Sequence, residues 1–198
     1  MTGSRGQIAV RTADSGLVLD AIDADLRRFR FRRRGPSAEL SPADVVGARG
    51  AEVREAMLTV HGAWTRLAVE DLESLYATAW GIHKATGVPV IAARVFQYGT
   101  WQFKAYADND LVLKVGEGPD TELAWVGRPL DSERLATVVQ SLGGGDALLR
   151  FCRGVIRGEP EPSDLAAALG GPSPELDFRS LIGAPGWQYV AWAQASRV

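Results

Sequence analysis

The 198-residue sequence predicts an α+β fold: an antiparallel sheet with a central meander over about 88–115, a helix over about 71–85 packed on it, a mainly helical C-terminal section and a final strand. Three observations carry this expectation. Strand formers run from Val88 to Tyr98, alternate from Trp101 to Tyr106, and return from Leu111 to Val115 after the turn residues Asp108, Asn109 and Asp110. Between Asp71 and Gly87, the residues Leu72, Leu75, Tyr76, Ala79, Trp80 and Ile82 recur at intervals of three and four, the spacing of one helix face. Beyond Gly116, helical patterns over about 129–142, 146–157, 163–169 and 175–182 are separated by glycine- and proline-rich breaks, Leu142 to Asp146 among them. The length suits one domain over 1–198, sheet-rich to about 127, helical over about 128–186 and closed by a strand over about 187–195.

In chain order, Gln7 to Arg11 reads as extended, and so does Leu17 to about Arg34, with a turn near Asp23 to Asp25. Arg28, Phe29, Arg30, Phe31 and Arg32 alternate with period two, which puts both phenylalanines on one face of a strand. Ser41 and Pro42 form a helix start, as N-cap and first helical residue. Met57 to Val69, interrupted by Gly62, reads as a hairpin or a bulged strand pair. The run from Val88 is apolar on both faces and is expected to be covered on both sides. In the next strand Trp101, Phe103 and Ala105 share a buried face, leaving Gln102, Lys104 and Tyr106 on an accessible one.

Composition narrows the function. A net charge of -2 and a pI near 5.7 provide no global field for nucleic acid or an anionic membrane. No stretch approaches the roughly 20 apolar residues of a membrane-spanning helix. The N-terminal residues lack an apolar leader core, and the single cysteine, Cys152, cannot form an internal disulfide, so a reducing, cytoplasmic location is expected.

The densest local feature is Arg27 to Arg34, six arginines in eight residues interleaved with two phenylalanines. Guanidinium forks bind phosphates and aromatic rings stack on bases, so single-stranded nucleic acid is one candidate ligand. An acidic protein partner is favoured over it. The plainer reading, a solvated strand face neutralised by Asp23, Asp25 or Glu39, outranks both. Cys152 stands between Arg150 and Arg153, which lowers a thiol pKa if it is exposed, and His61 or His83 would complete a dyad; Glu117 and Asp120 are further candidate contributors to such a site. Packing as a small apolar residue is the commoner fate of such a cysteine. Two separated histidines and one cysteine do not make a metal site, and no motif implies a cofactor.

With no convergent catalytic set and many Trp and Arg residues, the sequence favours a non-catalytic, intracellular protein-binding module of immunity or adaptor type. Its expected partner-binding residues are Arg28, Arg30, Arg32, Gln102, Lys104, Tyr106 and Trp125. An enzyme built around Cys152, His61 and His83, and a nucleic-acid binder using Arg27 to Arg34, are the alternatives.

Overall fold

The computed structural model describes residues 5–34, 53–69, 74–96, 100–116, 132–171 and 178–194. The helix expected after Ser41, and Asp71, Glu117, Asp120 and Trp125, lie outside the described residues.

The described residues contain eight strands in one antiparallel sheet: β1 (Arg5–Val10), β2 (Phe31–Arg33), β3 (Val53–His61), β4 (Trp64–Val69), β5 (Val90–Val95), β6 (Trp101–Ala107), β7 (Asp110–Gly116) and β8 (Gln188–Gln194). Their spatial order is β2-β8-β3-β4-β1-β5-β6-β7. The predicted meander is β5-β6-β7 and forms one flank of the sheet. The closing strand is inserted between β2 and β3, so the two ends of the chain meet inside one sheet.

Because side chains alternate along a strand, the sheet separates two cores. On one face Val18 and Ile22 of α1 (Ser15–Arg27) and Leu75, Ala79 and Ile82 of α2 (Leu75–Thr86) cover Ile8, Leu67, Ala92 and Val190. On the other, α3 (Ser132–Leu142), α4 (Gly145–Arg157) and α5 (Pro162–Ala168) cover Ile91, Phe103 and Leu113. A 3-10 turn, Phe178–Leu181, extends this second layer over Met57 and Tyr189. The α+β fold read from the sequence is present, with helices on both faces of the sheet.

One element differs from its sequence reading. Residues 15–27 are helical rather than extended: the Asp14 carboxylate accepts the Leu17 N–H at 3.1 Å, and Val18, Leu19, Ile22 and Leu26 form a helical stripe. The strand begins only at Phe31, because residues 28–30 form a turn in which Arg30 takes a left-handed φ of 66°. Phe29 and Phe31 therefore do not share a strand face, and Phe29 is 61% exposed whereas Phe31 is buried.

Candidate functional site

An apolar cavity of about 310 Å3 lies between the α1/α2 layer and the sheet. Ile8, Ala56, Leu67 and Trp192 form its floor, Ile22 and Leu26 of α1 one wall, and Thr78 and Ile82 of α2 the other. Its borders include the exposed Ala77 on α2 and the exposed Phe29 in the turn after α1. Pockets of this volume, mostly apolar with a few polar groups, are the usual form of a binding site.

Asp23 holds this end of the molecule together. It is 8% exposed, accepts the indole N–H of Trp192 at 2.6 Å through Oδ1, and pairs with Arg33 at 3.3 Å through Oδ2. One carboxylate thus ties α1 to β8 and to β2. Deeper along the same helix pair, the Asp25 carboxylate faces Gly81 of α2, where a Cβ would stand 3.5 Å from it.

The arginine tract divides between two roles. Arg33 is a structural ion-pair residue. Arg28 and Arg30 flank Phe29 in the turn at the cavity border, are exposed, and form no ion pair among the described residues. Arg32 lies on the opposite face of β2 from Phe31, exposed, with Nη1 donating to the Phe31 carbonyl at 3.1 Å. Among the described residues β2 pairs with β8 alone, leaving its other edge open.

Gln102, Lys104 and Tyr106 do not form the accessible surface that the alternation of β6 suggested, because α2 lies over that face. Gln102 and Tyr106 are 7% and 6% exposed. The Lys104 ammonium lies 4.0 Å from the Tyr76 ring centroid, and the Tyr106 hydroxyl donates to the Tyr76 carbonyl at 3.4 Å. Burial raises the phenol pKa of Tyr106 to about 12 and that of Tyr76 further. Trp80, expected in the core, is 37% exposed and rests on Tyr106 at the outer surface of α2.

Cys152, His61 and His83 do not converge. Cys152 is fully buried among Phe103, Phe151 and Leu148 on the α4 side of the sheet. His83 is fully buried on α2, across the sheet, where Nδ1 donates to the Val88 carbonyl at 2.8 Å and Nε2 accepts the Asn109 N–H at 3.1 Å. That pair of bonds fastens the β6–β7 turn, whose Asp108 and Asn109 both take positive φ, to the end of α2. His61, half-buried at the end of β3, adjoins Gly170 and Gly171.

Burial pushes the Cys152 thiol up to about 12, the reverse of an activated nucleophile. In native protein at pH 8, iodoacetamide is expected to label Cys152 no faster than the chain unfolds; labelling at the rate of a free thiol would contradict this packing. The unfolded thiol ionises near its ordinary value of about 8.5. The unfolded state therefore loses this proton first, and the contribution of Cys152 to stability falls as pH rises above that value.

No protein-family model, curated protein or solved structure matches the chain.

Proposed function

We propose that the chain is a non-catalytic protein-binding module that grips an acidic segment of a partner, with one apolar partner side chain entering the cavity between α1 and α2. The observation that supports this reading is the placement of a cationic turn, Arg28-Phe29-Arg30, at the border of an apolar cavity of about 310 Å3. Burying one Leu or Phe side chain there contributes roughly 1.5–3 kcal/mol. The arginines that flank Phe29 add association rate and selection for acidic sequences more than affinity. The edge of β2 that pairs with no strand among the described residues offers backbone groups for an added strand. An immunity-type or adaptor role, in which this chain occupies a partner's surface, is the biological form the reading takes.

The test begins with the partner recovered by affinity capture from the native organism. Ala77→Phe places a ring at the cavity border from an exposed helix position, and is expected to weaken binding at least tenfold without lowering the melting temperature. Arg28→Glu with Arg30→Glu is expected to slow association and reverse its salt dependence. A partner that binds both variants like the wild type would overturn the reading. Retention on single-stranded nucleic acid that falls steeply with salt, and is lost on replacing Arg30 and Arg32, would favour the nucleic-acid alternative instead.

A further inference from the structure

On the opposite face of the sheet from the cavity lies a buried cation with no counter-charge among the described residues. Arg66 of β4 is 0% exposed, and Nη2 donates to Oε1 of Gln7 at 2.6 Å. Its Nε and Nη1, which carry three of the five guanidinium N–H groups, have no hydrogen-bond partner among the described residues, and neither has Nε2 of Gln7. Gln7 is 3% exposed. Burial lowers the Arg66 pKa to about 10, which still leaves it charged at neutral pH. An isolated buried charge is costly, and buried donors of this kind are almost always satisfied.

The surroundings show where a counter-charge has access. Across the ladder from Arg66 stand Thr59, whose hydroxyl is already committed to the Gly186 carbonyl, and Ala9. Above it runs the Gly170–Gly171 turn. A Cβ on Gly171 would stand 2.4 Å from Nη1 of Arg66 and 2.9 Å from Cδ2 of His61. The turn therefore packs directly on the fully buried guanidinium, with the half-buried His61 and the exposed Gly170 beside it.

We infer that Arg66 and Gln7 form an anion-binding site for a small oxyanion, a carboxylate or phosphate group, admitted between His61 and the Gly170–Gly171 turn. Guanidinium and carboxamide N–H groups match such an oxyanion, and charge-assisted hydrogen bonds in a low-dielectric setting are the strong ones. The site stands on the face away from α1 and α2, so it is independent of the partner-binding reading.

Thermal melting in buffers free of other oxyanions, titrated separately with inorganic phosphate and with acetate, tests the inference. A saturable rise in melting temperature is expected with at least one of them, on the order of 5–10 °C at a hundredfold excess over Kd. Gln7→Glu places a carboxylate at the position that already meets Nη2, and is expected to raise the melting temperature without added anion and abolish the titratable rise. Gly171→Ala, which crowds Nη1 while keeping Arg66, is expected to weaken anion binding at least tenfold. Calorimetric titration of Gln7→Glu and Gly171→Ala with the same anions reads binding directly, apart from any change in their stability. No saturable rise in the wild type, or an equal rise in Gln7→Glu, overturns the inference.

Discussion

Phe151→Ala is expected to lower folding stability by roughly 3–5 kcal/mol, the range for removing a fully buried phenylalanine. That is a large fraction of the 5–15 kcal/mol that holds a typical domain. Phe151 is 0% exposed and meets Trp101 edge-on at a centroid distance of 5.2 Å and Phe103 at 5.9 Å. It is the residue through which α4 grips β6. On the same helix Ile156 is 45% exposed, so Ile156→Ala is expected to change stability by less than about 0.5 kcal/mol. Urea unfolding of the two variants measures the contrast. A loss below about 1.5 kcal/mol for Phe151→Ala would mean that α4 does not pack as described.

The same helix shows what the sequence made legible. Leu148, Phe151, Cys152 and Val155 are buried while Arg150, Arg153 and Arg157 are exposed, so the 3.6-residue period alone places Cys152 inside. The meander was legible for a similar reason: Trp101, Phe103 and Ala105 alternate, and Asp108 and Asn109 supply the positive φ its turn requires. Residues 15–27 were harder, since Leu17, Val18 and Leu19 form a contiguous apolar run that suits a strand as well as a helix. Which of the two forms is decided by the Asp14 cap and by the stripe that α2 covers.

Tertiary placement explains the other differences. Nothing in β6 itself states that α2, a preceding element, lies over Lys104 and Tyr106. The cavity is assembled from seven elements spread along the sequence, and no local pattern marks it. Arg66 did carry a local signal. Trp64, Arg66 and Ala68 share one face of a strand, so an arginine stands on an otherwise apolar stripe.

The second large effect is expected at Asp23, where the cavity end and the arginine turn depend on one side chain. Asp23→Ala removes the acceptor from the Trp192 indole N–H, which is 2% exposed, and the nearer of the two carboxylates from Arg33. Leaving a buried donor unsatisfied and the partly buried Arg33 with only its longer contact to Asp20 is expected to lower stability by about 2–4 kcal/mol. Asp20→Ala removes only the longer contact to Arg33, 3.6 Å from a side chain 77% exposed, and is expected to be close to neutral. Asp23→Asn retains an oxygen for Trp192 and loses only the charge, so it should fall between the two. A double-mutant cycle with Trp192→Phe isolates the hydrogen bond, with a coupling of at least 1 kcal/mol expected and additivity counting against it. Strand β2 is held by three residue pairs to β8 and by this carboxylate, so loosening Asp23 also frees the turn that carries Arg28 and Arg30. Partner affinity should therefore fall in Asp23→Ala at temperatures where the domain is still folded, and remain intact in Asp20→Ala.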